Sequence, residues 1–227
     1  MRLVLCWHGM EPIEDSVNAA QPNILERWGI TVEELSKAIL ENGSLRGMVF
    51  GYVAEIKLRE LLEAHPAVSF VAKDDDHDRQ RKGDLRVVFK GHEFKIESKS
   101  LQTGSIKRSP DGTWTAKTQV DGSDRRTVKF SDGTTLETTL LLPGEFDVLA
   151  VNCFAFSDEW SWVFAANRDL PRSTYRKYTS AQQAGLLASL VTVTRPPTGI
   201  FTDDLFALLE RLIVSGQAIK RTSVIVD

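Results

Sequence analysis

The chain has 227 residues, 42% hydrophobic, 26% charged and 8% aromatic, a composition that excludes a disordered, collagen-like or coiled-coil protein and suffices for one compact domain with insertions. No run approaches 18 apolar residues, and the apolar start Met1 to His8 is too short for a signal peptide, so a cytoplasmic chain without a membrane span is expected. The net charge of −3 is unevenly spread: residues 1–42 carry seven acids against three bases, whereas 95–129 and 160–180 are basic, which admits a nucleic-acid partner.

In chain order, Thr31 with Glu34 forms a capping box opening a helix to Glu41. Gly43 stops it, and Ser44 caps a longer helix from Leu45 to about Ala64, ended by the His65-Pro66 step. Val68 to Ala72 alternates as a short strand, and Asp74 to Lys82 is a polar loop. Asp84 to Phe89 and Glu93 to Ser100 form a hairpin turning at Lys90-Gly91-His92. Leu85, Val87 and Phe89 share one face of the first strand. In the second, Phe94, Ile96 and Ser98 oppose Lys95, Glu97 and Lys99.

Residues 101–143, with turns at Pro110-Asp111-Gly112 and Ser131-Asp132-Gly133, are predicted as a β-hairpin insertion. Phe146 to Phe156 reads as a strand buried on both faces, with Ser161 to Ala166 as its partner. One helix is predicted after Thr179 or Ser180, and another from Thr202 to about Ser215. The order gives a single α/β domain over 1–227: an N-terminal helical segment (1–43), a core (44–100 and 144–227) and the insertion (101–143).

The strongest chemical signal is Asp84 followed by Glu97-Ser98-Lys99. Phosphodiester hydrolysis calls for hard oxygen ligands around a divalent cation, which polarises the phosphoryl oxygen and acidifies the attacking water. Two neighbouring strands of a hairpin can supply two carboxylates at one end of a sheet. Lys99 follows Glu97 on the same face, about 7 Å along the strand.

Asp, a spacer of a dozen residues, then Glu-x-Lys across a β-hairpin resembles the PD-(D/E)xK nuclease superfamily, which includes the type II restriction endonucleases. The resemblance implies a restriction-endonuclease-like fold, a mixed β-sheet core flanked by helices, and a Mg²⁺-dependent DNA endonuclease in which Mn²⁺ can substitute. It implies Asp84 and Glu97 as metal ligands and catalytic residues, the Ser98 carbonyl as a further ligand, and Lys99 as the residue that orients or deprotonates water. The sequence departs in having Gly83 where the motif carries proline. Many members carry a glutamate on the preceding helix. Glu55 fits that place, with Met48, Tyr52, Leu58 and Leu62 within about 60° of it around the helix; its plainer role is a boundary residue paired with Arg59.

The DNA-binding residues expected are Lys107, Arg108, Lys117, Gln119, Arg125, Arg126 and Lys129 of the insertion, and Arg168, Arg172, Arg176 and Lys177 beside Tyr175 and Tyr178. Gln119 and Arg125 suit base edges; the others suit phosphates. Double-stranded DNA is the expected partner, and a palindromic site suits a homodimer. A repair, phage or transposon-associated nuclease, a non-catalytic DNA-binding module and a small-molecule hydrolase are the alternatives.

Other features carry less. Asp74-x-Asp76-x-Asp78 lacks the glycine and closing glutamate of a calcium loop. Cys6 and Cys153 give neither a disulfide framework nor a zinc spacing, and the four histidines are scattered. Phosphate-loop and dinucleotide motifs are absent, so no nucleotide cofactor is expected. Trp114, Trp160 and Trp162 read as packing residues.

Overall fold

A computed structural model describes residues 23–73, 83–216 and 219–220. The loop Asp74 to Lys82, Cys6, His8 and His77 lie outside the described residues. The described residues fall into two compact units that divide between Gly47 and Met48.

In the first unit, α1 (Ile24–Trp28) is capped by Asn23, and α2 (Val32–Glu41) has the expected capping box, Thr31 and Glu34 each bonding the other's backbone N–H. Neither helix buries a side chain. The long helix α3 spans Gly43–Glu63, and its residues from Met48 onward belong to the second unit.

The second unit is built on a mixed sheet in the order β1 (Val68–Lys73), β2 (Leu85–Phe89), β3 (His92–Ser100), β8 (Val148–Asn152) and β9 (Trp162–Ala166). β3 and β8 are parallel; the other neighbours are antiparallel. The β2–β3 connection has Lys90 and Gly91 at φ +48° and +75°, the left-handed pair that a two-residue hairpin loop requires.

Side-chain alternation builds a core on each face. Leu85, Val87, Phe89, Phe94, Ile96, Val148, Ala150 and Phe164 pack against Ala54, Leu58 and Leu62 of α3 and Leu205, Leu208, Leu209 and Leu212 of α6 (Leu205–Val214). Leu149, Val151, Val163 and Ala165 face a second sheet instead. That sheet runs in the order β10 (Leu190–Arg195), β5 (Trp114–Gln119), β4 (Lys107–Arg108), and adds Ala116, Val191 and Val193 to the core. Every residue of β8 and β9 is buried because these strands are covered on both sides.

Residues 101–143 carry four of the strands and are tied into the body in two places. β5 pairs along its whole length with β10, a strand between the two predicted C-terminal helices to which the sequence reading assigned no element. The hairpin of β6 (Asp121–Lys129) and β7 (Thr135–Leu140) packs Phe130 and Leu140 against Leu186, just beyond the short helix α5 (Ser180–Gly185). β11 (Ile219–Lys220) pairs with the start of β3. α4 (Phe154–Ser157) follows β8. Among the described residues no helix is long and apolar enough to cross a membrane.

Candidate active site

A left-handed turn sets the site's edge. Gly83 has φ +99°, and a Cβ there would stand 3.2 Å from the Lys95 Cβ. Proline, held near φ −65°, cannot adopt this conformation, which accounts for glycine where the resembled motif has proline. Asp84 is thereby delivered onto β3. Its N–H donates to the Ile96 carbonyl at 2.9 Å, and its Oδ2 accepts the Ser98 N–H at 2.6 Å, so it grips the strand on both sides of Glu97. In an extended strand a residue's N–H and C=O point the same way, so the Ser98 carbonyl faces the side from which Asp84 approaches. Gly83→Ala is expected to lower the urea midpoint, costing about 1–2 kcal/mol for the left-handed conformation; an unchanged midpoint would show that the turn does not hold Asp84.

Glu97 and Lys99 point to the face of the sheet carrying the second core, beside their register partners Leu149 and Val151. Lys99 Nζ lies 2.6 Å from Glu97 Oε1. Glu97 is only 6% exposed. Burial raises its carboxyl to about 7; Lys99 opposes the rise, while Asp84 and Glu145 add to it. Burial works to lower the Lys99 ammonium, but Glu97, Asp84 and Asp121 outweigh it and hold it above the ordinary lysine value. Lys99 therefore keeps its proton at neutral pH, and its role is that of a fixed cation rather than a base.

The structure brings Asp84, Glu97, Ser98 and Lys99 together, and gives Glu55 a different partner. Glu55 Oε2 pairs with Lys73 of β1 at 2.7 Å, and Arg59, its sequence-based partner, pairs with Glu63 at 3.3 Å. The Lys73 ammonium also sits 4.3 Å over the Tyr52 ring. These groups line a cavity of about 200 Å³ with Ile56 and Leu85. The apolar face expected around Glu55 is divided: Leu58 and Leu62 are buried, whereas Met48 and Tyr52 are 59% and 46% exposed. Glu55 sits at that boundary. It comes from α3, whose core lies on the face of the sheet opposite to Glu97.

The basic residues divide as well. Lys107, Lys117 and Gln119 occupy the outer face of the second sheet, away from buried Ala116 and Thr118. Gln119 bonds Gln102 and Asp121. Arg108 lies over the Trp114 ring at 5.2 Å. Arg125 and Lys129 are exposed on β6, but Arg126 turns inward and donates to Glu145 at 2.5 Å and to the Leu140 carbonyl at 3.2 Å. Its guanidinium fixes the protein's own backbone, which a sequence count of positive charge cannot distinguish from a phosphate contact. Arg176 and Lys177 are exposed between Tyr175 and Tyr178. Arg168 and Arg172 line a cavity of about 340 Å³ with Asp147, Asn167 and Leu212, and Arg172 donates to the Leu170 carbonyl.

Sequence reasoning gave no role to Asp121 and Glu145, whose charges contribute to the shifts of Lys99 and Glu97 without a hydrogen bond to either. Asp121 counted only as an acid in a basic stretch, and nothing in the spacing marks Glu145. Cys153 is buried, and burial pushes its thiol up to about 12, so it is an inert packing residue.

The chain matches no family model, no curated protein and no solved structure. What the site can hold follows from its own donors. Among the described residues no three His, Cys, Asp or Glu side chains gather closely enough to cage a metal alone. Mg²⁺ does not need such a cage, since it is commonly held by one or two carboxylates and keeps several waters. A buried glutamate pushed to about 7 beside a second carboxylate is a place where added positive charge is favourable. Asp84, Glu97 and the Ser98 carbonyl are the oxygen donors that the site offers to such an ion.

Proposed function

We propose that this protein is a Mg²⁺-dependent endonuclease that hydrolyses phosphodiester bonds of double-stranded DNA, of the type II restriction kind and acting as a homodimer. The observation that carries the proposal is the buried Glu97, bonded to Lys99 and bracketed on β3 by Asp84. Asp84, Glu97 and the Ser98 carbonyl would hold the ion, with Mn²⁺ as a substitute. When bound, the ion supplies Lewis acidity at the phosphate and a more acidic water. Lys99, kept protonated, orients the nucleophilic water or the phosphate and offsets negative charge that builds on the phosphoryl oxygens. The exposed Lys107, Arg108, Lys117, Arg125, Lys129, Arg176 and Lys177 supply the counter-charge that DNA requires. The restriction assignment rests on the resemblance.

Purified protein incubated with a long mixed-sequence duplex and Mg²⁺ is expected to give fragments with 5′-phosphate and 3′-hydroxyl ends, and none after chelation. Discrete bands would mark a sequence-specific cutter and a smear a nonspecific one. Intact duplex in both Mg²⁺ and Mn²⁺, or cutting that survives chelation, overturns the proposal.

A further inference from the structure

Where β8 begins and β9 ends, the cavity of about 340 Å³ is lined by Asp147, Asn167, Arg168 and Arg172, with Phe146 and Leu212 among its apolar groups. Hydrogen bonds fix its frame. The buried Asn167 side chain accepts the Gly144 N–H at 2.7 Å and donates to the Leu142 carbonyl at 3.4 Å. The Asn167 N–H donates to the Asp147 carbonyl at 2.9 Å, and Asp147 Oδ2 accepts the Lys95 N–H at 2.7 Å. The segment that carries Arg172 is held as firmly. The Ser173 N–H donates to the Leu186 carbonyl at 2.9 Å, and the Ala188 N–H donates to the Pro171 carbonyl at 2.8 Å.

Arg172 is half-buried. Its Nη1 donates to the Leu170 carbonyl at 3.2 Å, and among the described residues it pairs with no carboxylate. A guanidinium carries five N–H donors, and one shielded from water without an anion is costly. Arg168, about half exposed, has Asp169 at 3.6 Å. Asp147 sets one negative charge in the wall against two guanidiniums, and burial raises its carboxyl, so the cavity is positive on balance. Its volume lies at the small end of the roughly 300–1,000 Å³ of ligand pockets. Such a space suits a molecule with one anionic group and a small apolar body.

We propose that this cavity binds a phosphate monoester of mononucleotide size, clamped by Arg172 and Arg168. A monoester carries about −1.5 to −2 charges at neutral pH, whereas a backbone phosphate carries one, and its oxygens match the fork of a guanidinium. Phe146 and Leu212 give the rest of the molecule an apolar wall. The monoester comes from a free nucleotide or from the terminal phosphate of a DNA strand. The proposal stands apart from the nuclease reading, because it requires neither the cation nor cleavage.

The test is thymidine 5′-monophosphate titrated into the full chain by calorimetry, with chelator present and DNA absent. Binding is expected to be at least about tenfold tighter than that of inorganic phosphate, because the apolar wall adds to the clamp, and thymidine alone should not bind. Arg172→Gln is expected to weaken it by on the order of tenfold to a hundredfold, as loss of a charged hydrogen-bond donor does. Arg172→Lys, which keeps the charge without the fork, recovers part of the loss. Lys57→Gln, which removes an exposed positive charge from α3, changes the affinity by less than about twofold. Unchanged melting of the Arg172 variants separates their effect from misfolding. No binding by the wild type, wild-type affinity in Arg172→Gln, or an equal loss in Lys57→Gln overturns the proposal. Competing oligonucleotides decide the source. Displacement by a 5′-phosphorylated strand but not by its 5′-hydroxyl twin assigns the cavity to a DNA end, and displacement by neither assigns it to a free nucleotide. Displacement by both makes the ligand a backbone diester and overturns the monoester assignment.

Discussion

Alanine in place of Glu97 is expected to lower Mg²⁺-dependent DNA cleavage by on the order of a thousandfold or more, because charge stabilisation by a metal is worth several kcal/mol and each 1.36 kcal/mol is tenfold. Asp84→Ala should match it, since Asp84 both contributes a carboxylate and fixes β3 on either side of Glu97. The isosteric Glu97→Gln and Asp84→Asn separate chemistry from packing, as they keep shape and hydrogen-bonding capacity while removing the charge that holds a cation. DNA binding by gel shift should persist in all four, and even tighten slightly, because fewer carboxylates then face the phosphates. Lys99→Ala should cost activity without the same loss of cation affinity, because an ammonium is a donor and cannot be a cation's ligand. A Glu97→Ala protein that cuts DNA at the wild-type rate would sink the assignment.

Much of the site's frame was legible in the sequence because it is local. The period-two pattern of Leu85, Val87 and Phe89 against Phe94 and Ile96 fixed which way Glu97 and Lys99 point, and all five apolar residues are in the core shared with α3 and α6. The unbroken apolar run around Val148 to Val151 foretold a strand covered on both faces. The capping box at Thr31 was also local. What escaped depends on contacts between distant segments. Leu190 to Arg195 alternates well enough to be a strand, with Val191 and Val193 buried, yet only its pairing with β5 gives the alternation a meaning. Glu55 illustrates the opposite error. Its helical neighbours were apolar in type, but Met48 and Tyr52 turned outward, and Lys73, far along the chain, supplied a counter-charge in place of Arg59. Arg126 likewise looked like any basic residue until Glu145 was found against it.

The pH dependence of stability offers a test that needs no DNA. Burial raises the folded-state carboxyl of Glu97 from 4.5 to about 7, helped by Asp84 and Glu145 and opposed by Lys99. Below pH 4.5 the carboxyl is protonated in both folded and unfolded chains, so it carries no penalty. Between 4.5 and 7 the unfolded chain gives up the proton before the folded one does, and stability falls as pH rises. Above 7 the whole penalty is present, on the order of 3 kcal/mol at 1.36 kcal/mol per unit. Asp147 is also raised by burial and acts in the same direction, beginning at lower pH. The lowered carboxyls of Asp111 and Asp132 act oppositely, losing their contribution as pH falls through the usual aspartate range. The signature of Glu97 is thus a decline in melting temperature from about pH 4.5 to 7 that Glu97→Gln flattens, since glutamine still accepts from Lys99 and carries no charge. For a chain of this length each 1 kcal/mol moves the midpoint by roughly 2–4 °C. Saturating Mg²⁺ should recover the loss in wild type above pH 7, as a ligand at a hundred times its Kd stabilises by about 2.7 kcal/mol, and should leave Glu97→Gln nearly unmoved. A wild-type midpoint that is flat from pH 4.5 to 8, or a Mg²⁺ shift of equal size in both proteins, would show that Glu97 is not the buried acid that a cation relieves.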